Sequence, residues 1–489
     1  MDISFLGPIG CVTGSCYWLR HHPEGGSALE FLVDCGARQG ERDNDAWNKA
    51  PLPFQANRID FVLLTHAHLD HSGLLPRLVA LGYRGPIYAT AASVDLLAVM
   101  LLDAAHIQEK EAEWENRHRR GVFARRGHER APLYTVTQAE SSLKQLRAQD
   151  YDSAFSPHPA VHCTFRDAGH ILGSAIIELW VGDERAATKL VFSGDLGQPA
   201  RPVVRDPTPI RHADVLVVES TYGDRLHRGM QETEDELVSV LGDTLERRRG
   251  NVVIPAFSVG RTQEMLFMLT DLVRRGRIRA PAIYVDSPMS LAATEVTLRH
   301  VELLDAPTRS LIAWQRAHPE QPPIRFVQSI EESVALNEVR AGAVIISASG
   351  MCDAGRIKHH LRHNLPRPEC SVVIAGFQAA GTLGRRLVDG ARSVKLFSEA
   401  VPVRARIHTI GGLSAHADRA ALLAWLGGFV EPPARTFVVH GERESARSLA
   451  RAITERLGWN DVVVPERGMT ATIPAPLRPK EMHPLEVRS

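Results

Sequence analysis

The chain has 489 residues, 44% hydrophobic and 23% charged, with 57 basic and 57 acidic side chains and a formal net charge of zero. That length exceeds one ordinary core and suggests roughly two or three domains of a globular protein. The balanced charge excludes a global field that draws the chain to nucleic acid or membrane, so any polyanion site must be a local patch. Six scattered cysteines without a CxxC pair fit reduced thiols and a cytoplasmic protein. Nothing at the amino terminus resembles a signal peptide, and no uninterrupted apolar run approaches ~18 residues, so neither export nor membrane insertion is expected.

In chain order, a strand pattern over 30–35 (EFLVDC) ends in Asp34 and Cys35, and a second over 60–65 (DFVLLT) runs into THAHLDHSG at 65–73. This nonapeptide packs His66, His68, Asp70 and His71, all metal-ligand types, just before a helix start at 72–82. The charged stretch 103–150 reads as a solvated helical pair with a break near 121–132. Further apolar runs lead to His170, Asp195, Glu219 and, near the end, His440. Between the last two, helical patterns at 232–249 and 262–275 alternate with the strand patterns NVVIPAF, AIYVD, AVIISAS and SVVIAGF. This alternation predicts a parallel α/β domain inserted into the first one. The proline-containing segment after Gly468 is expected to be an extended tail.

A lone histidine after a strand is ordinarily structural, but this series would gather on one edge of two stacked sheets, where α/β proteins place their chemistry. His66, His68 and His170 could hold one zinc ion, Asp70, His71 and His440 a second, with Asp195 bridging both. Two metals about 3.5–4 Å apart stabilise both the attacking and the leaving oxygen and bring hydroxide within reach near neutral pH. Asp34 suits a supporting role, orienting a ligand from behind.

The series Asp34, His66–Asp70–His71, His170 and Asp195 resembles the metallo-β-lactamase superfamily. The resemblance implies an αββα sandwich with a two-zinc site but leaves the substrate open. The later motifs resemble the β-CASP nucleases: VESTYGDR with Glu219 as the acid of the first motif, SAHAD with His416, and VHGE with His440. Ser349-Gly350-Met351, Gly355-Arg356 and the GTLG run at 381–384 are similar to the bacterial and archaeal branch. The implied architecture is α/β, a metallo-β-lactamase sandwich over 1–205 and 396–470 interrupted by a parallel α/β β-CASP domain over 206–395, with a tail at 471–489. The stretch after His440 is shorter than the added carboxy-terminal domain of ribonuclease J requires, and no KH-type module is expected before Asp2.

That resemblance implies a zinc-dependent ribonuclease hydrolysing phosphodiester bonds by a two-metal-activated hydroxide, because RNA-acting members carry histidine at the position of His440. It is expected to cut as an endonuclease, with 5′-exonuclease action left open. Asp70, Glu219 and His416 are the catalytic candidates, His416 donating a proton to the departing 3′-oxygen or, with Glu219, only orienting the phosphate. RNA contacts are expected from Arg261, from Ser349, Gly350 and Met351, and from Arg356. Between 341 and 410 ten basic residues face four acidic ones, a local patch of the kind phosphates need. His359 and His360 are expected beside this surface without serving as ligands. RNA is the expected partner, without membrane; a homodimer stays open. The competing readings are a hydrolase of a small ester, thioester or lactone, and a noncatalytic RNA-binding scaffold.

Overall fold

The computed structural model describes residues 1–7, 10–23, 28–39, 44–119, 130–183, 187–376, 378 and 381–474. The chain divides into two compact units, one made of Met1–Pro199, Asp206–Leu226 and His416–Ser489, the other of Ala200–Arg205 and His227–Ala415.

The first unit holds two seven-stranded sheets. One has the order Thr470–Thr472 (β22), Asp2–Phe5 (β1), Tyr17–His21 (β2), Leu29–Val33 (β3), Phe61–Leu63 (β4), Ile87–Thr90 (β5) and Leu146–Gln149 (β6). The other has the order Val462–Val463 (β21), Arg435–Val439 (β20), Val215–Glu219 (β11), Thr188–Phe192 (β10), Ala175–Val181 (β9), Val161–Asp167 (β8) and Ala154–His158 (β7). Side chains alternate faces along a strand, and the second sheet sorts its residues accordingly. Ala175, Ile177, Leu179, Leu190, Phe192, Val215 and Val217 pack with Ile3, Phe31 and Phe61 of the first sheet. Their neighbours Ile176, Val191, Leu216 and Val218 face the other way, onto the helices Arg419–Leu426 and Arg443–Leu457. The long helix Ala91–Arg119 covers the first sheet at β5 and β6, which completes the αββα layering.

By length and mean hydropathy the stretch Ala91–Arg117 of that helix would suffice to cross a membrane. Asp95 and Asp103 interrupt it, and Ala92, Leu96, Leu97, Leu101 and Ala105 are buried within the unit. The helix Val136–Leu143 packs beside it, so the expected helical pair is present, while the expected break at 121–132 lies for the most part outside the described residues.

The second unit is built on a six-stranded parallel sheet ordered Ile324–Phe326 (β14), Ala282–Asp286 (β13), Ala343–Ser347 (β15), Val252–Pro255 (β12), Ser371–Ile374 (β16) and Arg406–Thr409 (β19). A separate hairpin joins Ser393–Leu396 (β17) to Glu399–Pro402 (β18).

Three expected boundaries move. The segment 206–226 belongs to the first unit because β11 pairs in parallel with β10 and β20. Residues 396–415 belong to the second because β19 extends its sheet beside β16. The segment expected to begin a tail is in part a strand, Thr470–Thr472, paired antiparallel with β1; residues 475–489 lie outside the described residues.

Candidate metal centre and catalytic site

Every sequence-proposed ligand comes from a strand end or the turn after it. β4 runs into His66, and a short helix begins directly after His68. Ser72 fastens that turn by donating its hydroxyl to the carbonyls of Ala67 and His68 at 2.9 and 3.0 Å. Asp70 and His71 sit in the resulting helical turn. Gly36 makes room beside them, since a Cβ there would meet the Asp70 carbonyl oxygen at 1.7 Å. In the turn between β8 and β9, the Ser174 hydroxyl accepts the backbone N–H of His170 at 3.0 Å. His416 is held to the strand-end loop carrying Asp195: Ala417 N donates to Leu196 O at 2.7 Å, and Asp418 N to Gln198 Oε1 at 2.8 Å. Asp418 in turn caps the helix Arg419–Leu426 by accepting Ala421 N.

The proposed ligand atoms are brought together at one edge, and His416 lies with them: Asp195, His416 and His440 are also within 4.8 Å of one another. His66, His68, His170 and Asp195 form one group and Asp70, His71 and His440 another, the atoms of each lying within 4.8 Å of one another. His66 Nε2 is 3.1 Å from His68 Nδ1, which is 3.3 Å from His170 Nε2; His71 Nε2 is 3.2 Å from His440 Nε2. Asp195 lies between the groups, with Oδ2 at 3.5 and 3.6 Å from His66 and His170 Nε2 and Oδ1 at 3.3 Å from His71 Nε2 and His440 Nδ1.

This donor set fits a divalent cation. Asp195 is 2% exposed, yet among the described residues its Oδ1 has no hydrogen-bond partner, only those two imidazole nitrogens at ion-pair distance. A buried carboxylate ringed by imidazole nitrogens is costly unless a positive charge sits among them. Burial, with the neighbouring histidines, drives His66 well below the ordinary imidazole range, and burial lowers His68 and His170 as well. All three are therefore neutral, the form that donates a lone pair to metal. Imidazole and carboxylate donors in this proportion suit zinc.

Behind the ligands, Asp34 takes His71 Nδ1–H at 2.7 Å and the hydroxyl and N–H of Thr65 at 2.8–3.0 Å. Burial opposes a charge on His71, but the carboxylates of Asp195 and Asp34 outweigh it and lift its pKa well above the usual value. A dication held by these donors would supply that positive charge instead. Asp34 and His440 both hold left-handed backbone, at φ 60° and 47°, a strain of about 1–3 kcal/mol each that the surrounding contacts sustain.

Glu219 and His416 form the expected pair, with His416 Nδ1 3.1 Å from Glu219 Oε1. Glu219 is anchored by accepting Leu196 N at 2.7 Å and Thr221 N at 3.1 Å. Burial presses the His416 pKa down, but the Glu219 carboxylate more than offsets this and raises it to about 9.

Thr65 and Thr221 were not anticipated from the sequence. Thr221 Oγ1 lies 3.1 Å from His440 Nδ1, and Thr65 Oγ1 lies 3.1 Å from His66 Nδ1 and 3.3 Å from His71 Nδ1. A hydroxyl residue two positions past the end of a strand that leads into the site is the signal that identifies both.

The remaining proposed residues lie in the second unit. Arg356 is committed internally: one guanidinium nitrogen donates to the buried Asp286 at 2.6 Å, the other to Gln328 O at 3.1 Å. Arg261 is paired with Glu264. Ser349 N donates to Ala354 O, and Gly350 is buried beneath Phe257. His360 departs from its expected surface position: it is fully buried, with Nε2 2.6 Å from Asp286 Oδ2.

The αββα layers and the histidine–aspartate edge define a metal-dependent hydrolase. A β-lactamase superfamily profile matches residues 30–248, a Beta-Casp domain profile 262–387, and a Zn-dependent metallo-hydrolase RNA specificity profile 400–465. A ribonuclease of Thermus thermophilus is 37% identical over 457 residues, covering 93% of this chain and 96% of that protein. The transcription termination factor FttA of Methanosarcina mazei is 30% identical over 466 residues (93% of this chain, 69% of that protein). Its namesake in Methanocaldococcus jannaschii is 29% identical over 472 residues (95% and 70%). The chain belongs to the β-CASP family of zinc-dependent metallo-β-lactamase-fold hydrolases.

Proposed function

We propose that this protein is a zinc-dependent ribonuclease that hydrolyses RNA phosphodiester bonds at a two-zinc centre, with Glu219 and His416 as its proton-handling pair. The observation that carries the reading is that pair, held 3.1 Å apart in the same unit as a complete ligand set that ends in His440. The RNA specificity match over 400–465 contains both His416 and His440. Two groups of donors, with Asp195 at 3.3–3.6 Å from imidazole nitrogens of both, support a count of two ions.

His66, His68 and His170 would hold one ion and Asp70, His71 and His440 the other. Bound zinc supplies Lewis acidity toward the phosphate and lowers the pKa of water. The protein's own groups do the rest. Asp34 fixes the ring of His71, and Thr65 and Thr221 hold the rings of His66 and His440. Glu219 keeps His416 oriented, and His416 gives a proton to the departing 3′-oxygen as the scissile P–O bond breaks. The intact ligand set speaks against a noncatalytic scaffold, and the RNA specificity domain against a small-molecule hydrolase. A cytoplasmic location belongs to the same proposal; the six free cysteines, four of them buried, suit a reducing compartment.

The test incubates zinc-loaded protein with end-labelled RNA and matched DNA bearing 5′-triphosphate, monophosphate or hydroxyl ends. Cleavage of RNA in preference to DNA is expected, and product sizes report internal or end-directed cutting. Failure to cut any RNA would sink the proposal.

A further inference from the structure

The parallel sheet of the second unit reverses the direction of its connections between β12 and β15. From β12 the chain passes through the helix Arg261–Arg274 to β13, beyond β15; from β15 it passes through the helix Ile357–Asn364 to β16, on the far side of β12. The two helices cover opposite faces of the sheet. Met265 and Leu269 pack with Val252 and Ile254, whereas Ile357 and Leu361 pack with Val253. Open parallel sheets bind ligands outside the carboxyl ends of their strands at such a reversal.

An exposed aromatic ring stands there. Phe257, two residues past β12, is 49% exposed. Solitary apolar side chains on a surface are ordinary, so exposure alone carries nothing. What separates Phe257 is how it is held. Its carbonyl accepts both the hydroxyl and the N–H of Thr262, at 2.8 and 3.2 Å. One edge of the ring rests on Gly350, in the loop after β15, where a Cβ would come within 3.0 Å of two ring carbons. That loop is itself fastened from beyond β16, Gln378 Nε2 donating to Gly350 O at 3.1 Å and Gly384 N to Met351 O at 3.0 Å. The result is a rigid aromatic surface at the ligand-binding edge of a parallel sheet, which is what stacking on a flat π-system requires.

We infer that Phe257, seated on Gly350 at the reversal point, is a stacking platform for one unpaired nucleobase of the RNA substrate. The inference rests on the ribonuclease reading and deepens it: Phe257 grips a base by its face, tolerant of sequence, independently of phosphate charge. Single-strand-specific substrate preference follows, because a paired base has no face free to stack.

The experiment uses the zinc-loaded full chain and a 12-nucleotide oligoadenylate, with a second series carrying one abasic ribose walked along it. Phe257→Ala is expected to raise KM by roughly 5- to 150-fold with little change in kcat, the range that loss of one stacked base produces. Phe257→Tyr retains the platform and should stay near wild type. The slope of log KM against log salt should be the same in Phe257→Ala and wild type, since stacking releases no counterions. In wild type, one abasic position should cost as much as Phe257→Ala, and in Phe257→Ala that position should cost nothing further. An unchanged KM in Phe257→Ala, a flattened salt slope, a Tyr variant as impaired as the Ala variant, or an abasic series without a sensitive position would each overturn the inference. If wild type cleaves RNA while Phe257→Ala matches it, only the stacking role falls; if wild type cleaves no RNA, the ribonuclease reading falls and takes this inference with it.

Discussion

His71 gives its Nδ1–H to Asp34 at 2.7 Å, which leaves Nε2 as the ring nitrogen turned toward Asp195 and His440. Asp34→Ala removes that orientation and also leaves Thr65 without its acceptor. Zinc affinity or turnover should fall roughly 10- to 100-fold, the usual cost of losing such a partner. Calorimetric zinc titration beside steady-state cleavage checks this, and unchanged values would remove Asp34 from the centre.

Asp70→Ala and His71→Ala each take a ligand from the Asp70–His71–His440 group. Both variants should lose RNA cleavage and hold less zinc by elemental analysis. Chelation of wild type should do the same and lower its unfolding temperature, because a metal bound only by the folded chain stabilises it. Full zinc and full activity in His71→Ala would show that the ligands are assigned wrongly.

His416→Ala and Glu219→Gln should keep zinc and lose rate, by about 10²- to 10⁴-fold for a proton donor. Because the two side chains act through one contact, the double variant should be little worse than His416→Ala alone. Additive losses would mean that they work separately, and undiminished turnover in His416→Ala would end its acid role.

Gly36→Ala tests backbone packing without touching a ligand. The added methyl would strike the Asp70 carbonyl oxygen at 1.7 Å and the His71 nitrogen at 2.8 Å, so that turn must shift. Weaker zinc binding with a folded protein by circular dichroism is expected. Zinc affinity equal to wild type would show that the turn absorbs the methyl.

In the second unit, fully buried Asp286 binds Arg356, His360 and Ser333, each at 2.6 Å. Burial alone would raise the pKa of this carboxyl, but those hydrogen bonds, His360 first, outweigh it and hold the pKa below the usual range. A carboxyl depressed in the folded state contributes its stability above the unfolded value of about 3.9 and loses it as pH falls through the folded one. Asp286→Asn should therefore destabilise the protein by about 3–5 kcal/mol at neutral pH, and by progressively less toward pH 3. Urea unfolding at several pH values reads this, and a pH-independent difference would contradict it.

The candidate site edge was legible because each strand is a short apolar run that ends in, or leads within three residues to, a residue with no place in a core: Asp34, His66, Asp195, Glu219, His440. Each such ending is a local pattern. Domain edges were not legible, because which sheet β11 and β19 each join depends on distant partners, β20 and β16. Arg356 illustrates the same limit. Within a basic stretch it reads as a surface cation, yet Asp286, 70 positions earlier, draws it inward. The strand Thr470–Thr472 was hidden by its setting next to prolines, and only its pairing with β1 defines it. Thr65 was passed over because a hydroxyl is not a ligand type; its importance lies in which ring nitrogens it reaches.

The first unit is discontinuous, with Asp195 on one side of the inserted unit and His416 and His440 on the other. During synthesis from the amino terminus, the ribosome must make the whole second unit before His416 and His440 exist. A nascent chain carries His66, His68, Asp70, His71, His170 and Asp195 through that interval but lacks His440 and His416. Six of the seven proposed ligands thus precede the inserted unit and the seventh follows it, so the proposed centre is completed late in synthesis.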